Sequence, residues 1–221
     1  MPERMCCAAV SVCYHPHMTR EMIFALVLGY LFGSVPFGFI LTRLAGKGDI
    51  REIGSGNIGA TNVLRTGSKW LAAATLILDC LKATAAILLA RQLFGDPLYY
   101  YAERYAAAGA MIGHLYPVWL KFKGGKGAAT FLGVLIPLLP IAAAVYAAIW
   151  LILLLTVRIS SVAGMAAAIS APITAAVLYE NRLFPMLLGF AVLVLWKHRE
   201  NILRLRKGTE PRIGSKTSST A

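Results

Sequence analysis

Residues 127–157 read GAATFLGVLIPLLPIAAAVYAAIWLILLLTV and carry no charged side chain. A helix needs only ~20 apolar residues to cross a bilayer, so this run is too long for one crossing. Pro137 and Pro140 decide how it divides, because each lacks the amide that a continuous helix needs at that point. The reading is a short span over 127–139 followed by a second over 141–157. Working outward, further apolar runs lie near 22–42, 70–93, 99–118, 162–179 and 183–197. With 58% hydrophobic residues, 14% charged residues and a mean hydropathy of +0.66, the chain is far from the composition of a soluble domain. The expectation is an all-α, polytopic membrane protein, a bundle of seven transmembrane helices.

The distribution of Lys and Arg tests that count, since basic loops stay cytoplasmic. With seven crossings, segments 43–69, 118–127, 158–161 and 197–221 fall on one side and hold sixteen basic residues. The other side holds Arg4, Arg20, Arg91, Arg104 and Arg182. This predicts an outside N-terminus and a cytoplasmic C-terminus; six or eight crossings would scatter the basic segments over both faces. Residues 22–213 read as one membrane domain, with 1–21 a disordered extension lacking a signal-peptide pattern and 214–221 a disordered tail. Met18 and Met22 are alternative starts, and His15 and His17 carry no expected function. Cys6, Cys7, Cys13 and Cys80 have no metal-ligand spacing, and no disulfide framework is expected.

The net charge of +12 does not indicate nucleic acid, because no solvated basic module with base-reading groups is present. Gly29 and Gly33, and Gly109 and Gly113, are small-xxx-small pairs suited to close helix packing. Asp79 and Lys82, three apart within a span, are expected to pair, since either charge alone is costly in lipid.

Three segments on the basic side carry the chemistry. In GKGDIREIGSGNIGATNVLRTGSK, residues 46–69, GSGNIG matches a dinucleotide fingerprint, but no strand precedes it and Asp79, twenty residues beyond Gly59, lies in a membrane span. What remains is an anion-binding composition: Gly54 and Gly56 let amides converge, Ser55, Asn57, Thr61 and Asn62 add small hydrogen-bonding groups, and Arg65 adds a bidentate cation. In KFKGGKGAAT, residues 121–130, the order is not that of a Walker loop, so nucleotide hydrolysis is not supported. Gly124, Gly125, Lys126 and Gly127 precede a helix start, where amides and a positive helix end favour an anion, with Lys121 and Lys123 nearby. In KHRENILRLRKGTEPRI, residues 197–213, His198 and Asn201 share one helix face.

Three phosphate-friendly segments at one face of a lipid-bound bundle suit a substrate with an anionic head in water and an acyl tail in the membrane. GSVPFG, GSGNIGATNVLR, GHLYPVWLKFKGGKGAAT and HRENILRLRKGTE resemble the motifs of the bacterial acyl-phosphate glycerol-3-phosphate acyltransferase family, over about residues 22–213. The resemblance implies a seven-helix inner-membrane enzyme, its active site on the cytoplasmic side. It would move an acyl chain from acyl phosphate to the sn-1 hydroxyl of glycerol 3-phosphate, releasing lysophosphatidate and inorganic phosphate. It also implies essential roles for Ser55 and Arg65, phosphate binding by Gly124 to Gly127, contributions from His198 and Asn201, and a structural Glu210.

The chemistry agrees. Two phosphates must approach each other, which calls for cations and amides more than for a nucleophile. Arg65 and Lys126 supply the charge, and Lys121 or Lys123 would add to it. The attacking hydroxyl must lose a proton, either to His198 or to a substrate phosphate oxygen; the latter is favoured because acyl phosphate already has a good leaving group. No histidine has an aspartate five residues on, the arrangement common in acyltransferases using acyl-CoA or acyl carrier protein, which favours acyl phosphate. No cofactor or metal is expected. A transporter of phosphate esters would also use a basic, glycine-rich lining, but it would place polar groups at the midplane of repeated halves, and no repeat is present.

Overall fold

The computed structural model describes residues 20–95 and 99–214. The expectations for residues 1–19, including Cys6, Cys7, Cys13, His15, His17 and Met18, and for 215–221 lie outside the described residues. Within them the chain is helical, with ten α-helices: α1 (Arg20–Gly33), α2 (Phe37–Leu44), α3 (Ala60–Leu64), α4 (Lys69–Leu93), α5 (Tyr99–Leu115), α6 (Ala128–Leu138), α7 (Pro140–Thr156), α8 (Ser160–Val177), α9 (Phe184–Lys197) and α10 (Arg199–Arg206). Short 3-10 turns occupy Ile50–Glu52 and Val118–Leu120. Three stretches, Arg20–Leu44, Lys69–Leu93 and Ser160–Val177, are long and apolar enough to cross a membrane; α6, α7 and α9 are shorter apolar helices. Large apolar side chains such as Phe24, Ile77, Leu155 and Val177 stand exposed, as a lipid-facing surface requires.

One expected span is bent. The run 22–42 becomes α1 and α2, joined by an elbow at Ser34–Pro36. Pro36 has no amide and biases Val35 away from helical geometry, so the helix stops and restarts. The same physics separates α6 from α7, where Pro140 opens the second helix.

Close approach of backbones holds the bundle together. Gly29 and Gly33 leave no room for a Cβ against the backbone of Ala106 and Ala110, and Gly109 and Gly113 none against Leu26, Tyr30 and Ser34. α1 and α5 therefore pack through small residues on both sides. Gly133 of α6 meets Cys80 of α4 in the same way, beside a bond from Thr84 Oγ1 to Gly133 O at 2.7 Å. The core is mostly alanine, with Phe131, Tyr146 and Phe190 stacked edge to face at 5.6 Å on the side of α7 and α9.

The expected pair forms: Lys82 Nζ lies 2.8 Å from Asp79 Oδ1, and both side chains are buried. Lys82 Nζ also donates to Val35 O in the elbow at 2.8 Å, satisfying a carbonyl freed by the break.

Candidate active site

The first basic segment folds around a buried asparagine. Asn62 Nδ2 donates to Ile50 O, Ile53 O and Asn57 O at 2.8–2.9 Å, and its Oδ1 accepts from Ser55 N at 3.1 Å. This side chain is fully engaged as scaffold, and it sets the turn in which Gly54 and Gly56 take positive φ of 57° and 66°. Asn57 Oδ1 accepts from Gly59 N. Ser55 and Thr61 are exposed, and their hydroxyls have no partner among the described residues. The side chain of Arg65 lies over Gly54, close enough that a Cβ there would meet its guanidinium.

The second segment turns back on the end of α5. Gly124 N donates to Leu115 O and Gly125 N to His114 O, at 3.3 and 3.0 Å, so both amides are spent inside the turn. The amides without an acceptor among the described residues are those of Lys126 and Gly127, followed by the first turn of α6. This differs from the expectation that all three glycines face an anion. Each glycine has its own local reason: Gly124 abuts the backbone of His114 and Leu115, Gly125 abuts the His114 ring, and Gly127 has a φ of 92°. Lys121 and Lys123 are exposed and make no side-chain bond among the described residues.

The third segment meets the second. Lys126 Nζ donates to Asn201 Oδ1 at 2.5 Å, and Asn201 Nδ2 donates to Glu210 Oε1 at 2.6 Å. Glu210 also accepts from Ser161 Oγ and Arg204 Nε, both at 2.7 Å. Burial opposes its charge, but the bonds from Asn201, Ser161 and Arg204 prevail and hold its carboxyl below the usual range. Ser161 and Arg204 were not read from the sequence as site residues; only the fold reveals that they orient Glu210. Downstream, Ile213 N donates to Arg158 O at 2.7 Å, pinning the chain beyond Glu210.

Lys126 is the centre of the cluster. Burial, then the positive charge of Arg204 and, more weakly, of Arg65, lower its pKa to about 8. The second and third segments are therefore joined through Lys126 and Asn201, and the Arg65 charge on the first segment acts weakly on Lys126. His198 is buried, and its Nδ1 bonds Val194 O at 2.8 Å, which leaves Nε2 free as an acceptor beside Gly164. Burial lowers its pKa to about 4, with the Lys126 charge adding to the effect, so the ring is neutral at ordinary pH. No group of three or more metal-ligating side chains occurs among the described residues.

A lipid-facing helical bundle with its cations, open amides and neutral histidine gathered at one end defines an integral membrane enzyme. The sequence model of the family described as glycerol-3-phosphate acyltransferase matches residues 23–208, and the chain belongs to that family. A glycerol-3-phosphate acyltransferase of Mesorhizobium japonicum is 53% identical over 199 residues, covering 90% of this chain and all of the relative. One of Rhodopseudomonas palustris is 55% identical over 194 residues, covering 88% of this chain and 97% of the relative. The crystal structure of PlsY (YgiH), an integral membrane glycerol 3-phosphate acyltransferase in its glycerol 3-phosphate form, superposes with a TM-score of 0.80 at 38% identity, covering 88% of this chain and 96% of that one. Its lysophosphatidic acid form gives 0.78 at 37%. The protein is thus a membrane-embedded acyltransferase enzyme, and its family serves phospholipid biosynthesis.

Proposed function

We propose that this enzyme transfers an acyl chain from acyl phosphate to the sn-1 hydroxyl of glycerol 3-phosphate at the cytoplasmic face of a bacterial inner membrane. In this reading the chain crosses seven times, α1 and α2 together making the first crossing, with its N-terminus outside. The observation that carries the reading is the cluster at Lys126: its ammonium on Asn201, its own amide and that of Gly127 open, and α6 beginning just beyond. The glycerol 3-phosphate and lysophosphatidic acid forms of the similar structure support the acceptor and the product.

Each residue then has a role. The open amides and Lys126 hold one phosphate, and Arg65 with the Ser55 hydroxyl meets the other phosphate or the developing oxyanion. The acceptor hydroxyl oxygen bonds to the acyl carbon while the bond from that carbon to the phosphate oxygen breaks. The hydroxyl proton passes to a phosphate oxygen, and inorganic phosphate departs. His198, neutral and with Nε2 free, accepts a hydrogen bond and orients the acceptor. Asn201, held by Glu210, keeps Lys126 aimed at the substrate. Lys121 and Lys123, exposed at the membrane surface, attract anionic substrate without contacting the reacting atoms.

The test is purified enzyme given labelled glycerol 3-phosphate with either acyl phosphate or acyl-CoA. Lysophosphatidate should form from acyl phosphate alone. Arg65→Ala and Lys126→Ala should each lower turnover by ~10² or more while the protein remains folded in detergent. Product from acyl-CoA, or near-normal turnover in both variants, refutes the proposal.

A further inference from the structure

His114 lies in the last turn of α5, is 4% exposed, and has no part in the reaction as drawn above. Its surroundings are specific. Nδ1 lies 3.8 Å from Asp79 Oδ1, within the reach of charge but beyond a hydrogen bond. Asp79 is held by Lys82, and Lys82 by the elbow carbonyl of Val35. The far edge of the ring, at Nε2 and Cε1, occupies the space where a Cβ of residue 125 would stand. The backbone carbonyl of the same histidine accepts the Gly125 amide. One residue thus touches the turn twice, through ring and carbonyl, and the residue after that turn is Lys126.

The backbone at Gly125 does not require glycine, since its φ lies outside the left-handed region, unlike that of Gly127. The three atoms nearest to a Cβ built there all belong to the His114 imidazole. We propose that His114 is a positioning residue: its ring, lying beside the buried Asp79–Lys82 pair and against Gly125, sets the height of the Gly124–Gly127 turn and so delivers Lys126 and the open amides to the phosphate. This rests on the reading of that turn as the phosphate site. It explains why the GHLYP stretch and the GGKG stretch occur together, and it links the elbow of the first crossing to the reaction centre. A shift of about 1 Å in such a site costs up to ~10²-fold in rate.

The test is a cycle of Gly125→Ala, His114→Ala and the double variant, each purified and checked for a cooperative melt, with KM for glycerol 3-phosphate and kcat measured separately. Gly125→Ala alone should raise KM by about tenfold or more, because the new methyl must push the turn off the ring. His114→Ala should raise KM more mildly and leave kcat within about threefold. The double variant should be no worse than His114→Ala, since the methyl then enters the space the ring has left. Gly124→Ala is the control: its Cβ meets backbone, so removing the His114 ring should give it no relief. If His114→Ala does not yield folded protein, the same cycle with His114→Asn gives the same contrast. Multiplying losses for His114 and Gly125, with wild-type enzyme active on acyl phosphate, overturn the positioning role. Inactive wild type overturns the reaction instead.

Discussion

At the scale of single residues, the site is governed by what burial does to charge. Lys126 is cationic below about 8 rather than below its ordinary 10.5, because desolvation and the neighbouring arginines disfavour its proton. If its charge binds phosphate, kcat/KM must fall as pH rises through about 8, the limb that reports the free enzyme. Lys126→Arg, which stays charged, should remove that limb while lowering the maximum, because a planar guanidinium does not reproduce an ammonium. An unchanged alkaline limb in Lys126→Arg would assign it to another group. His198 is neutral throughout this range, and its Nδ1 is already committed to Val194. His198→Ala should therefore cost less turnover than Lys126→Ala. Abolished turnover with unchanged substrate binding would transfer the role of base from the substrate phosphate to the imidazole. The sequence made the candidate residues visible because Gly, Arg, Lys, His and Asn are conspicuous in an apolar chain. It did not separate ligand from scaffold: Asn62 and Arg65 look equally suited to phosphate, yet only the fold shows Asn62 spending both ends of its amide on its own loop.

At the scale of elements, prolines and glycines do most of the positioning. Pro140 is legible as the start of α7 because the missing amide is a property of the residue itself, whereas Pro137, also read as a divider, lies inside α6 and does not end it. The elbow at Ser34–Pro36 is marked by Pro36 within the run 22–42 expected as one span, but its purpose depends on Lys82, far away in sequence. The glycine pairs of α1 and α5 are legible as a spacing, whereas their partners are not. Gly113→Ala places a methyl against the backbone of Tyr30 and Ser34, whereas Gly189→Ala in α9 meets open space. The first should lower the melting temperature in detergent by about 5 °C or more, and the second should leave it unchanged or raise it slightly. Equal melting of the two variants would mean that α1 and α5 are not held by this close contact.

At the scale of the whole molecule, the proposed reaction requires the anion-binding segments to share one side of the membrane. In the proposed reaction, phosphates are collected by lysine, arginine and open amides at one end of an apolar bundle, while the acyl chain stays among lipids. Hydropathy and the asymmetry of basic residues made both the bundle and its polar end legible, because the bilayer enforces them along the entire chain. The joining of the second and third segments through Lys126, Asn201 and Glu210, with Ser161 and Arg204 holding Glu210, was not legible, because those contacts connect α8, the turn before α6 and the tail beyond α10.

The most direct measurement uses single cysteines at three exposed positions, Thr61→Cys, Lys123→Cys and Glu200→Cys, with Tyr179→Cys as the opposite-side marker and all native cysteines replaced by serine. Right-side-out vesicles would be labelled with an impermeant maleimide. The three site positions should be protected until the membrane is opened, and Tyr179→Cys should label at once. Labelling of any one of the three from outside, while the others stay protected, would place the anion-gathering segments on opposite sides of the bilayer and contradict the account.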